Sequence, residues 1–262
     1  MAMGNRLNED QKAFYRQNGY LHVPGVFDRR TVQVLGDELD WIFETWADHD
    51  AAWRRPWRET YMTEEERREA NLLAINDMHL HSDLWNRATA DPRLVDRVAD
   101  LIGPHVELHH TTLHAKPPET GSPFPLHQDN AFFAHAQPLY VDALVHIDDA
   151  PEDAGCIRFI PGIHLDGPLV HLRGDGAPHL PVDRYRLADT VAVPARAGDI
   201  VFSCLWTIHG SDLNRTNAWR RVVRFGYRDP ANPQIDGFAL NQYGCIVRGR
   251  RPKIPALAGM VR

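Results

Sequence analysis

GDIVFSCLWTIHGSDLNRTNAWRRVVRFGYRD, residues 198–229, holds two β-rich runs separated by a polar stretch, and His209 ends the first run. Similar short runs precede it: HVELHHTTLHAK (105–116), YVDALVHID (140–148), CIRFI (156–160) and TVAVPA (190–195). Gly, Pro and Asp bound them. Many short strands at fairly even spacing predict a sandwich or barrel.

Upstream of Pro104 the texture is helical. A short helix is expected from about Asn8 to Gly19, then a strand and a turn at Pro24-Gly25. Val32, Leu35, Leu39, Ile42 and Phe43 recur at helical spacing. In TEEERREANLL (63–73), Thr63 followed by Glu66 is a capping-box signature for a helix start. DPRLVDRVADLIGP (91–104) reads as another helix, ended by Gly103-Pro104. No repeat or flexible linker interrupts the 262 residues. One domain is therefore expected, with a helical layer over about 1–104, a β-core over about 105–230 and a C-terminal tail at 231–262. Two irregular stretches, about 44–62 and 164–190, read as functional covers or mobile surface.

A hydrophobic fraction of 43% supports a real core, and the net charge of −6 comes from interspersed acids and bases. Nothing resembles a basic stripe for nucleic acid or a polybasic membrane patch. The polar, mixed-charge start reads as neither secretory nor transit signal. Cys156, Cys204 and Cys245, odd in number and far apart, fit a reducing cytoplasm. Lysine occurs only at positions 12, 116 and 253, which reads as the coding bias of a GC-rich bacterium.

The candidate chemistry begins at PLHQDNAFF, residues 125–133, where His127 and Asp129 stand two apart. A His-x-Asp pair alone is equally a polar surface pair. It gains meaning from His209 far downstream and from Arg220, which follows His209 in the next run. Strand residues i and i+2 face one side, so His127 and Asp129 can both point into a barrel, with His209 closing the triad from another strand. Two imidazoles and one carboxylate leave three coordination positions open, which suits Fe(II) that binds a co-substrate and O2 together. If Arg220 faces the barrel interior, the same alternation turns Val222, Arg224 and Gly226 inward as well and Arg221 outward. An inward Arg224 needs a partner: an internal carboxylate, backbone carbonyls, or an anionic or hydroxyl-rich substrate. His110 and His114 share the parity of Thr112, and His114 is a candidate to touch substrate or co-substrate. Trp41, Trp46, Trp53 and Trp57 are read as packing residues, with Trp53 or Trp57 as candidate lid residues.

HHTTLHAKPPETGSPFPLHQD (109–129), EDAGCIRFIPGIHLDG (152–167), AGDIVF (197–202) and HGSDLNRTNAWRR (209–221) together resemble the phytanoyl-CoA dioxygenase family. The similarity runs from about Gln11 to Asp229. The resemblance implies an iron- and 2-oxoglutarate-dependent oxygenase of mainly β, α+β class, a double-stranded β-helix (cupin-like jelly roll) with N-terminal helices packed outside. It implies His127, Asp129 and His209 as iron ligands and catalytic centre. Arg220 falls on the arginine that grips the C5 carboxylate of 2-oxoglutarate, a task suited to a guanidinium fork. Ser211 and Thr112 fall on further co-substrate contacts. Arg224 and His114 are left as candidate substrate residues. Leu144 replaces a tryptophan beside the co-substrate in the family's phytanoyl-CoA hydroxylase, and Ala74 stands where that enzyme has a lysine. These departures weaken the case for a branched acyl-CoA substrate, and the apparent bacterial coding bias turns the expectation toward a small molecule of secondary metabolism. Hydroxylation or oxidative cyclisation is expected, and desaturation or epimerisation would begin from the same hydrogen abstraction. Because Asp129 keeps its carboxylate, halogenation is not expected. The rival readings are an acyl-CoA or lipid hydroxylase, a Zn or Ni cupin-like isomerase or hydrolase, and a non-catalytic binding protein.

Overall fold

A computed structural model describes residues 4–46, 48–49, 57–173, 177–238 and 242–253. Helix α1 (Glu9–Asn18) starts at Asn8, whose side chain accepts from the Gln11 N–H while Gln11 caps back, and it ends at a left-handed Gly19. Helix α2 (Arg29–Trp46) buries Val32, Leu35, Leu39 and Ile42. Helices α3 (Arg58–Tyr61), α4 (Glu64–Glu69) and α5 (Asp83–Ala88) are short. Helix α6 (Pro92–Ile102) has Asp91 at its N-cap and proline in its first turn.

Among the described residues, twelve strands, numbered in chain order, form two sheets. The larger runs β1 (Tyr20–Val23), β9 (Ile200–Cys204), β6 (Tyr140–His146), β11 (Arg220–Arg228), β4 (Val106–Lys116), β3 (Leu73–Asn76), β2 (Asp48–His49), with β12 (Cys245–Arg248) also on β4. The smaller runs β5 (Phe124–His127), β10 (His209–Ser211), β7 (Ile157–Phe159), β8 (Val191–Val193). Every strand pairing is antiparallel.

The larger sheet has two differently employed faces. Leu113 and Ala115 of β4, Val141, Ala143 and Val145 of β6, and Val223 and Phe225 of β11 pack outward with Leu39, Ile42, Trp85 and Val98 of the helices. Full burial of each such aliphatic side chain contributes about 1.5–3 kcal/mol. The inner face meets the smaller sheet, where Tyr20 stacks on Phe159 with ring centroids 4.4 Å apart.

Several elements depart from the sequence expectation. The helix begun at Thr63 stops at Glu69, and the chain then becomes strand β3 against β4. Pairing to a long neighbouring strand overrides local preference there. Besides the expected strand β1, the "helical" third thus supplies β2 and β3 to the larger sheet. The tail at 231–262 supplies β12 and brings Phe238 to the central cavity. The run ending at His209 is two strands in different sheets, β9 and β10, because Leu205–Ile208 crosses between them. In that crossing the Thr207 hydroxyl donates to the Gly19 carbonyl (2.7 Å) and the Trp206 indole to Asn130 Oδ1 (3.1 Å). Trp57 is buried edge-on to Tyr61, whereas Trp53 lies outside the described residues. Among the described residues, no helix is long and apolar enough to cross a membrane.

Candidate active site

His127 closes β5, and Asp129 opens the 3-10 turn that follows it. The carboxylate therefore does not ride on the strand, as alternation had suggested; the turn delivers it. Gln128, between the two, is fully buried and held from several sides. Its side-chain amide donates to the carbonyls of Trp206 (2.6 Å) and Gly167 (3.0 Å), and its Oε1 accepts from the Leu169 N–H (2.7 Å). Its backbone N–H donates to His171 Nε2 at 2.9 Å. These bonds fix the peptide that spaces the two ligands.

His209 opens β10 directly opposite His127. The Nε2 atoms of His127 and His209 lie 3.7 and 3.5 Å from the Asp129 carboxylate oxygens. His127 Nδ1 donates to the Pro125 carbonyl (2.8 Å) and His209 Nδ1 to the Thr207 carbonyl (3.1 Å). A carbonyl can only accept, so each Nδ1 carries a proton, and in the neutral ring that tautomer leaves Nε2 with the lone pair that can take a metal. Burial pushes His209 down to about 4, so it is neutral near pH 7. Burial acts to raise Asp129, but the Arg224 charge and the two imidazoles outweigh it and hold the carboxyl well below the usual range. Two lone pairs and one carboxylate, all within 4.8 Å, form a donor set that fits a divalent iron.

Arg224 completes this end. It donates from Nη1 to Asp129 Oδ1 (2.8 Å) and from Nη2 to His110 Nε2 (2.8 Å), and its Nε lies 3.7 Å from Asp142 Oδ1. Asp142 is buried with neither oxygen hydrogen-bonded, and burial together with the Asp129 charge raises its carboxyl well above the usual range.

The triad opens on a cavity of about 490 Å³. Thr112, His114, Arg220 and Arg224 all line it, as do Ala74 and Leu144. Arg221 points the other way, to Asp148 (2.8 Å) and Asp40. Arg220 is buried and donates to the Gly155 carbonyl (3.0 Å), while its Nε has no partner. Gly155 presents that carbonyl from a left-handed turn (φ 68°), and a Cβ there would sit 2.3 Å from the Asp212 oxygen. Ser211 is also buried, though not on the cavity wall; its Oγ accepts from Lys116 Nζ at 2.7 Å. The sequence reading passed over Lys116, Gln128, Asp142 and His171. Parity alone could have found Lys116, which shares the inward face of Thr112 and His114 on β4.

Residues 15–222 match the sequence profile described as "Phytanoyl-CoA dioxygenase (PhyH)". The chain belongs to the phytanoyl-CoA dioxygenase family. It is 28% identical over 245 residues to the peroxisomal phytanoyl-CoA dioxygenase of Rattus norvegicus, covering 85% of this chain and 69% of that protein. It is 23% identical over 227 residues to a probable alpha-ketoglutarate-dependent hypophosphite dioxygenase of Stutzerimonas stutzeri, covering 83% of this chain and 77% of that protein. Among solved structures it is similar to the epimerase SnoN in complex with Fe3+, alpha-ketoglutarate and nogalamycin RO. The TM-score is 0.70 at 25% identity, covering 93% and 96% of the two chains. The two sheets are thus the halves of a double-stranded β-helix, and this family member is an iron- and 2-oxoglutarate-dependent dioxygenase.

Proposed function

We propose that this dioxygenase abstracts hydrogen from a C–H bond of a compact small molecule, leading to hydroxylation or oxidative cyclisation in the tailoring of a secondary metabolite. One observation carries the reading. The cavity has a buried His127–Asp129–His209 donor set and also a buried arginine, Arg220, whose Nε is unsatisfied. Iron bound with 2-oxoglutarate and O2 supplies the oxidising power for C–H cleavage, with succinate as co-product.

The chain's own residues bind, orient and exclude water. His127, Asp129 and His209 hold the metal. Arg220 takes the far carboxylate of 2-oxoglutarate: burial pushes its guanidinium down to about 10, so it stays charged near pH 7, and a bound anion offsets the cost of burying that charge. Thr112 adds a hydroxyl contact from the cavity wall, and Ser211, buried behind that wall, adds a second. His114 faces the cavity with no hydrogen-bond partner among the described residues and serves the substrate. About 490 Å³ shared between co-substrate and substrate favours a compact molecule over a long acyl chain. The likeness to SnoN, an epimerase from nogalamycin biosynthesis, supports a tailoring role.

Anaerobic Fe(II) with 2-oxoglutarate should give the visible charge-transfer band of the chelate, and candidate substrates should stimulate succinate release. Absence of the band from folded wild-type protein would overturn the co-substrate assignment. His127→Ala, Asp129→Ala and His209→Ala should each abolish substrate-dependent succinate formation. Wild-type turnover in any of them removes that residue from the metal site.

A further inference from the structure

Two basic side chains meet inside the protein with no acid between them. Lys116, the last residue of β4, stands directly opposite Arg220 on β11. Lys116 is 0% exposed and Arg220 6%. Among the described residues, neither forms an ion pair with a carboxylate. Arg220 donates to the Gly155 carbonyl, and its Nε bonds nothing. Lys116 Nζ donates to Ser211 Oγ and to the Asp212 carbonyl. The Asp148 carboxylate that acts on Arg220 is already bound by Arg221 on the outer face. Like charges facing each other across a strand pair are destabilising, the more so out of water. Burial and the Arg220 charge outweigh the nearby Asp212 carboxylate, which Arg215 already binds, and depress the Lys116 ammonium well below the usual lysine value. An anion bound beside them removes that conflict.

The Ser211 hydroxyl gives the pair a direction. An ammonium has three donors and no acceptor, so the Ser211 oxygen must accept from Lys116. Its own proton then needs another acceptor, and no described residue supplies one. A carboxylate held by Arg220 would. We propose that Lys116 is a positioning residue for the co-substrate: it turns the Ser211 hydroxyl proton toward the distal carboxylate held by Arg220. This inference rests on the 2-oxoglutarate reading above and adds Lys116 to it.

The test compares 2-oxoglutarate with 2-oxopentanoate, which chelates a metal through the same oxoacid end but lacks the distal carboxylate. Anaerobic titration of the Fe(II) charge-transfer band gives both affinities, and calorimetry on Ni(II)-loaded protein repeats them without turnover. Lys116→Met should weaken 2-oxoglutarate on the order of tenfold or more, the scale of a lost hydrogen bond to a charged group. Its 2-oxopentanoate affinity should stay within about twofold of wild type. Lys116→Gln, which keeps a donor without the charge, should fall between the two. Equal weakening of both oxoacids, or of neither, overturns the proposal. If both variants fail to fold, metal-free wild type decides: butyrate, which carries one carboxylate, should raise its melting temperature and the neutral butyramide should not, and equal responses overturn the proposal. Failure of wild type to give any band sinks the 2-oxoglutarate reading itself, a result distinct from those.

Discussion

Arg224 shows how one residue's parity can be legible while its job is not. Alternation along β11 places it on the cavity wall, as expected. Its fork, however, is occupied by Asp129 and His110 rather than left free for a substrate anion. Holding Asp129 Oδ1 sets the carboxylate's orientation and leaves Oδ2 toward His209. Arg224→Met should therefore weaken divalent-metal affinity by about 10–100-fold, the usual cost of losing a partner behind a metal ligand. Titration with Co(II) would measure it, and an unchanged affinity together with a raised substrate KM would return Arg224 to substrate recognition. Asp129 itself carries a prediction about reaction type. If its carboxylate ligates the iron as proposed, it fills the position that a halide would need, so wild-type enzyme in chloride buffer should yield no chlorinated product by mass spectrometry.

At the scale of elements, β11 separates two adjacent arginines by face. Arg220 is inside, and Arg221 is outside with Asp148 and Asp40. Removing a buried charge's partner typically costs ~3–5 kcal/mol, so Arg220→Ala should weaken 2-oxoglutarate binding by about two to four orders of magnitude. Arg221→Ala should leave that affinity within about twofold and lower stability by ~1 kcal/mol, as for a surface pair. Titration of the charge-transfer band and chemical denaturation would read the two effects, and the reverse ranking would contradict the register. The long strands were legible because alternation over many residues has no helical alternative. Strand β3 was not, since Leu73–Asn76 is too short to display a period and is strand only because β4 lies beside it. The break between β9 and β10 was equally hidden, being set by contacts to Gly19 and Asn130 that lie far away in sequence.

For the whole molecule, buried histidines make stability depend on pH. Burial pushes His109 to about 3 and His135 and His146 each to about 4. An unfolded histidine titrates near ~6.5. Below that value the unfolded chain takes up protons that the native state refuses, so stability is full above ~6.5 and drains as pH falls toward about 4. Urea midpoints at about pH 7 and about pH 5 would check this, and equal midpoints would show that these imidazoles are not held neutral by the fold.

The sequence by itself determined the order of long strands and helices, the helix ends at Asn8, Gly19 and Thr63, and the identity of His127, Asp129 and His209 as a possible donor set. Local periodicity, capping chemistry and ligand type are properties of neighbouring residues, so they survive without a fold. Only the tertiary structure decided that Asp129 sits on a turn, that Arg224 belongs to the metal end, and that Lys116 faces Arg220. Those facts depend on which strands pair and in what register. A side chain's partner across a sheet is fixed by distant chain, and by the need to satisfy every charge that burial cuts off from water.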